Sequence, residues 1–184
     1  MEILTESWRT PVGVPYSFDG EFYRFSKSPG LPKPLQTPHP PVIVGGNGPS
    51  RTPRLAAAYA TEFNMPFAGI DQLLTQLERV DAACHERGRD PATLGRSVTQ
   101  VLCVGRDDAE LARRAGAIGR DPAELRRNGF AGSPAEVVDK LGMFAERGGV
   151  ERAYLQVLDL SDLAQLDLVA SEVAPQLPGP LSRR

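Results

Sequence analysis

Lysine is scarce in this chain: Lys27, Lys33 and Lys140 are the only three of its 21 basic residues, and with so many Arg and Ala this reads as coding bias before chemistry. Cysteine is nearly absent. Cys84 and Cys103 are the only two, and two thiols in a chain this size point to a reducing, cytoplasmic setting. Neither sign of charge dominates. A net charge of −2 and a pI near 5.7 give no electrostatic case for nucleic acid or an anionic membrane surface. No apolar run approaches the roughly 18–20 residues that span a bilayer. The opening MEILTESWRT carries Glu2 and Glu6 and lacks a basic region followed by an apolar stretch, so no signal peptide is expected. Only two histidines occur. His39 lies between prolines and His85 near a helix end, neither with a partner at ligand spacing, so no metal is expected.

What remains is a globular composition. The 184 residues, 41% hydrophobic and 24% charged, suffice for one domain with a core and exclude a collagen, a disordered tract or a disulfide-stapled miniprotein. Glycine (18) and proline (17) together make up about a fifth of the chain against a usual ~12%, and their placement organises it. Eight prolines fall in residues 1–41, which cannot therefore be mainly helical. Met1 to Trp8 reads as the last turns of a helix, with Ile3, Leu4 and Trp8 on one face. Tyr16-Ser17-Phe18-Asp19-Gly20-Glu21-Phe22-Tyr23-Arg24-Phe25 then places aromatics on both sides of an Asp-Gly dipeptide, the pattern of a tight β-hairpin. Ser26 to Pro41 reads as an extended connector. The hairpin aromatics pack on each other or cover a pocket or subunit surface.

From Pro41 the pattern alternates between strands and helices. Val42-Ile43-Val44 reads as a buried strand ending in Gly45-Gly46, followed by a helix through Leu55 and Tyr59. Glu62-Phe63-Asn64-Met65 is a second strand. Ile70, Leu73, Leu74, Leu77, Val80 and Cys84 recur at helical spacing up to Gly88. Asp90-Pro91 has the form of a helix start. Ser97 to Val104 and Ala153 to Leu158 are the remaining strands. Asp107-x-x-Glu110, Asp121-x-x-Glu124 and Ser133-Pro134-Ala135-Glu136 resemble capping boxes, and a last helix runs from Leu163 to Val173. About four short strands separated by helices predict an α/β fold of parallel βα units. The expected division is 1–40 (helix end, hairpin and Pro-rich connector), 41–177 (βα units) and 178–184 (a frayed tail).

One constellation carries a mechanism. In Val44-Gly45-Gly46-Asn47-Gly48-Pro49-Ser50-Arg51-Thr52 a strand ends, glycines allow a close turn, and a helix begins. Unpaired N–H groups and the positive end of the helix dipole would converge on a phosphate or carboxylate, with Arg51 as a further partner. The spacing is neither the dinucleotide fingerprint nor a Walker motif, and an ordinary glycine-rich βα turn is the plain alternative. Asn64 ends a strand at the edge where βα proteins place ligands. Gln156, inside an apolar strand, needs a partner, either structural or a ligand. Cys84 and Cys103 read as buried inert thiols, and Ser50 and Ser133 as helix caps.

Three segments resemble the luciferase-like oxidoreductases, particularly members using the deazaflavin F420: Val14 to Phe25 leading into Leu31-Pro32-Lys33-Pro34-Leu35-Gln36; His39 to Pro49 with Arg54-Leu55-Ala56-Ala57 and Tyr59-Ala60; and Gly132 to Val137 before Ala153-Tyr154-Leu155-Gln156. Their order matches the family's C-terminal portion. Pro53 and Thr61-Glu62-Phe63 depart from its usual pattern. The resemblance implies a (βα)8 barrel of which these strands are the last four, about half of a fold that usually takes about 250 residues. It implies oxidoreductase or monooxygenase chemistry on a small organic substrate with coenzyme F420, or alternatively FMN. The cofactor's phosphate region would contact Gly45, Gly46, Asn47, Gly48 and Arg51, and Asn64 would face the cofactor side. The residues indicate no catalytic acid or base. Expected partners are the cofactor and substrate, with a homo-oligomer or a missing N-terminal half completing the barrel; no nucleic-acid or membrane partner is expected. A non-catalytic half-barrel that assembles with itself or another chain, or an inactive truncated gene product, is the competing reading.

Overall fold

The computed structural model describes residues 1–177; the tail expected at 178–184 lies outside the described residues. The chain begins with α1 (Glu2–Arg9) and the antiparallel hairpin β1 (Tyr16–Asp19) and β2 (Arg24–Ser28). Strands and helices then alternate: β3 (Ile43–Gly45), α2 (Arg51–Tyr59), β4 (Glu62–Pro66), α3 (Ile70–Glu86), β5 (Gly95–Val104), α4 (Asp108–Ala117), α5 (Pro122–Asn128), β6 (Phe130–Gly132), α6 (Pro134–Gly148), β7 (Arg152–Gln156) and α7 (Leu163–Leu168). The last helix continues as a π-helical turn, Val169–Val173. Strands β3 to β7 form one sheet in which every pairing is parallel, in the order β3-β4-β5-β6 with β7 also paired to β5. The α/β class follows directly.

Several local expectations need correction. Asp19 and Arg24 are paired in register and joined by a 2.7 Å ion pair, so the hairpin closes through a four-residue loop, Gly20 to Tyr23, rather than a tight Asp-Gly turn. Gly20 is required for space: a Cβ there would lie 2.5 Å from the Phe18 ring. Asp90 does cap Ala92, but the helix it starts is a three-residue 3-10 turn, Pro91–Thr93, because β5 pairing begins at Gly95. Of the three expected capping boxes only Ser133/Glu136 is complete; Asp107 and Asp121 each accept one N–H without the reciprocal bond. Ser50 caps nothing. The last strand ends at Gln156, not Leu158. The inward-facing residue of α1 is Thr5, its hydroxyl bonded back to the Met1 and Glu2 carbonyls, while Leu4 is exposed. Strand β6 was not anticipated at all.

Side-chain alternation along β5 divides the interior. Val98, Leu102 and Val104 join Phe63 and Met65 of β4 and the apolar faces of α2, α3 and α6 in the main core. Val101 and Cys103 join Leu111, Ala115 and Leu125 of α4 and α5 in a second cluster. Burial raises the pKa of both Cys84 and Cys103, which leaves them as inert thiols. The opposite face of β4, β5 and β7 is polar. Tyr154 Oη donates to Glu62 Oε1 at 2.9 Å, Arg152 pairs with Glu62 Oε2 at 2.6 Å, Asn64 Nδ2 donates to Ser97 Oγ at 2.9 Å, and Thr99 Oγ1 donates to Asn64 Oδ1 at 3.0 Å. No helix of the described residues is long and apolar enough to cross a membrane.

Ser133→Ala removes one half of the only complete capping box and should lower stability by about 1 kcal/mol, read as a urea midpoint shift at unchanged slope. Asp162 offers a pH test. A hydrogen bond from Arg114 holds its carboxyl below the usual carboxylate range. A depressed folded value means that the ionised form stabilises the fold, fully above the unfolded value of about 3.9 and less as pH falls through the folded value. Asp162→Asn keeps the cap on Gln165 but not the charge, so its deficit relative to wild type in urea unfolding should be large at pH 7 and shrink below pH ~4. A deficit independent of pH would contradict this.

Candidate functional site

Parallel pairing brings the C-terminal ends of β3, β4, β5 and β7 to one edge of the sheet, where open α/β sheets place ligands. The glycine-rich turn sits there. Gly45 packs against Asn64, whose Oδ1 would lie 3.7 Å from an added Cβ, and the Gly46 N–H donates to the Asn64 carbonyl at 3.2 Å. Gly46 has φ +142°, a conformation that requires glycine. Added Cβ atoms at Gly46 and Gly48 would come within 3.2 and 3.1 Å of Thr52 Oγ1, so these glycines let the turn wrap closely around that hydroxyl.

Helix α2 is satisfied at one end and open at the other. At its C-terminal end Arg89 Nη1 donates to the carbonyls of Ala56, Ala57 and Ala60 at 3.3, 3.2 and 2.8 Å. At its N-terminal end Ser50 makes no side-chain cap, and the first turn holds no acidic residue. By contrast Asp107, Asp121, Ser133 and Asp162 cap α4, α5, α6 and α7. Among the described residues, the main-chain N–H groups of Asn47, Gly48 and Ser50 have no main-chain partner, and the hydroxyl of Thr52 and the guanidinium of Arg51 have no hydrogen-bond or ion-pair partner. Pro53 is buried in the first turn, where its missing N–H costs nothing. These donors fit a phosphate or carboxylate.

Gly45, Gly46, Asn47, Gly48 and Arg51 therefore belong to a single turn, with Asn64 directly behind it. Asn64 is not at a strand end but in the middle of β4, nine-tenths buried, with its carboxamide committed to Ser97 and Thr99. It supports the turn from beneath. Sequence reasoning did not single out Thr52, whose signal was the small hydroxyl residue two positions past Ser50 in a turn whose own N-cap is idle.

A cleft of about 460 Å³ opens between α5, the middle of β5 and the end of β7, lined by Phe67, Gln100, Val101, Arg120, Glu124, Asn128, Gln156 and Leu158 among others. Gln156 is exposed in this cleft and has no protein partner among the described residues, so of the two partners expected for it the structural one is not met. Glu124, read from sequence only as a capping residue, turns its carboxylate to Arg120 (2.7 and 2.8 Å) and Asn128 (3.2 Å); bonds from Arg120 first and Asn128 second hold its carboxyl below the usual range. His39 lies against Trp8 with ring centroids 5.7 Å apart, and His85 is exposed on the last turn of α3. Among the described residues no group of acidic, His or Cys side chains could hold a metal ion.

Comparison with known proteins agrees with this architecture. The FMNH(2)-dependent dimethylsulfone monooxygenase of Pseudomonas putida is 44% identical over 99 residues, which cover 53% of this chain and 26% of that protein. An F420-dependent secondary alcohol dehydrogenase superimposes with a TM-score of 0.77 at 17% identity, covering 96% of this chain and 60% of its own. The coenzyme F420 dependent tetrahydromethanopterin reductase of Methanopyrus kandleri gives 0.75 at 15% identity, covering 96% and 61%. The chain thus spans about a quarter of the curated relative and three fifths of these solved chains. A family model described as luciferase-like monooxygenase matches residues 1–160. The chain belongs to the luciferase-like monooxygenase family.

Proposed function

We propose that residues 41–177 form the closing half of a (βα)8 barrel, with residues 1–40 as its appended helix, hairpin and connector, in a cytoplasmic oxidoreductase that binds a phosphate-bearing flavin or deazaflavin. The observation that carries this reading is the idle N-terminus of α2 at the end of β3, where the turn keeps free donors around an open hydroxyl. The N–H groups of Asn47, Gly48 and Ser50, the Thr52 hydroxyl and Arg51 hold the cofactor phosphate. Gly45 and Gly46 permit its close approach, and Asn64 braces the turn. When bound, F420 or FMN supplies hydride transfer or oxygen activation. The chain orients the cofactor, and the cleft beside Gln156 receives a small organic substrate.

A phosphate cradle predicts a preference that can be measured without turnover. FMN should bind more tightly than riboflavin in fluorescence or calorimetric titration, and F420 more tightly than its deazaflavin core lacking the phosphodiester; the tighter of FMN and F420 identifies the cofactor. Thr52→Val should weaken the phosphorylated ligand about tenfold, the order of one hydrogen bond to a charged group, and leave the unphosphorylated one unchanged. Equal affinity for the two members of each pair would overturn the cradle.

A second reading concerns assembly. Among the described residues, β3, β6 and β7 each pair with one neighbour only, leaving open parallel edges. Such edges favour pairing with further strands, from a second copy or from an N-terminal half. Sedimentation of the purified chain should show a concentration-dependent species larger than 19.9 kDa, or one that forms when residues of an N-terminal half are added. A dispersed monomer under both conditions would reject assembly.

A further inference from the structure

The glycine turn contains one peptide that works against anion binding. Pro49 has no N–H, so the Gly48–Pro49 peptide can present only its carbonyl oxygen. Turned toward the free donors, that oxygen would place the negative end of a peptide dipole against any phosphate. The structure gives it another destination. Gln76, on α3 and only 1% exposed, donates from Nε2 to the Gly48 carbonyl at 2.9 Å, and its Oε1 accepts from Arg79 Nη1 at 3.2 Å. Gln76 is the only polar residue among the six buried ones of α3; Leu73, Leu77, Val80, Ala83 and Cys84 make up the rest. A buried carboxamide in an apolar helix face costs stability unless it is fully paired, and here its pairing reaches across 28 residues to a loop that the helix need not otherwise hold.

We propose that Gln76 is a positioning residue that sets the phosphate selectivity of the turn: it captures the Gly48 carbonyl, keeps it out of the anion site, and Arg79 orients the carboxamide for that purpose. The inference rests on the phosphate reading above and adds to it the residue that makes the turn electropositive. Nothing in the main-chain geometry of residues 45–52 alone would keep the acceptor-only peptide turned away, because glycine 48 resists rotation weakly. The side chain from α3 provides that restraint.

Gln76→Glu tests this with nearly constant volume. The carboxylate still accepts from Arg79 but cannot donate to the Gly48 carbonyl. The expected result is an FMN-over-riboflavin preference reduced about tenfold relative to wild type, with riboflavin affinity of the folded protein close to wild type and a lowered thermal midpoint, because the buried carboxylate faces the Gly48 carbonyl. Arg79→Met, at an exposed position, removes only the orienting partner and should reduce the preference in the same direction by a smaller factor; it carries the test if Gln76→Glu fails to fold. A merely structural Gln76 would lower the thermal midpoint and leave the preference intact, and a wild-type preference that survives both substitutions overturns the role of Gln76. A wild-type chain that binds FMN no better than riboflavin overturns the phosphate reading instead, so the two failures are distinguishable.

Discussion

Parallel pairing along β5 is the constraint on which the rest of the structure depends. Its ten residues pair with β4 over Gly95–Thr99, with β7 over Ser97–Val101 and with β6 over Leu102–Val104. Parallel neighbours need crossover connections, so every strand that joins β5 brings a helix with it; α2, α3 and α6 bury one face of the sheet, and α4 and α5 cover Val101 and Cys103 on the other side of β5. The end of β5 is secured by side chains as well as by β6. Val104 receives a bond from Arg114 on its carbonyl at 2.6 Å and gives its N–H to Gln165 Oε1 at 3.0 Å. Arg114, 3% exposed, is paired with Asp162 at 2.8 Å and Glu110 at 3.0 Å. A buried guanidinium is tolerated only when so paired, and this cluster locks α4 and α7 to the end of β5.

What was legible in the sequence follows from how local each determinant is. The apolar repeat of α3 and the Ser133-Pro134-Ala135-Glu136 start of α6 are written within single turns of helix, and both elements lie where their residues put them. The hairpin was legible as a hairpin but not in its turn, because Gly20 is set by the Phe18 ring above it rather than by a left-handed backbone. Strand β6, three residues long, offers no period to read; it pairs with Leu102 to Val104, where β5 extends past both β4 and β7. The same logic divides the site. Glycine spacing at residues 45–48 is a local signal and located the turn. The roles of Gln76, Thr52 and Glu124 depend on partners 28, 4 to 6 and 4 residues away in sequence that only the folded chain brings together, and only Gln76's burial in an otherwise apolar face could have flagged it.

Helix α2 shows how a nine-residue helix is made directional. Arg89 places a positive charge on the carbonyl end, which complements the dipole and quenches the negative pole. The amino end has no such partner: its own serine is idle, no acidic residue occupies the first turn, and proline replaces one of the N–H groups. Stability of the helix is therefore weighted toward its C-terminus and its buried Ala56 and Ala57. The unspent donors collect at the strand end. A sequence that optimised α2 for stability alone would place Asp or Glu in the first turn, and that would fill the position proposed for the anion.

The polar face of the sheet extends this division over the whole chain. At the N-terminal ends of the strands Glu62 is closed by Arg152 and Tyr154, and in the next layer Asn64 is closed by Ser97 and Thr99. Each of these networks uses its polar groups on one another, which holds β4, β5 and β7 in register but leaves little for a ligand. Toward the C-terminal edge the pairing stops: among the described residues Gln156, Thr52 and Arg51 have no side-chain partner, and Phe67 is held at a positive φ of 50° on the cleft rim. Polar groups that satisfy each other build a scaffold, whereas polar groups left open near a low-dielectric wall are available to bind. The transition between the two occurs within one strand length, from Glu62 to Pro66 in β4 and from Arg152 to Gln156 in β7, which is why the site can be rigid beneath and open above.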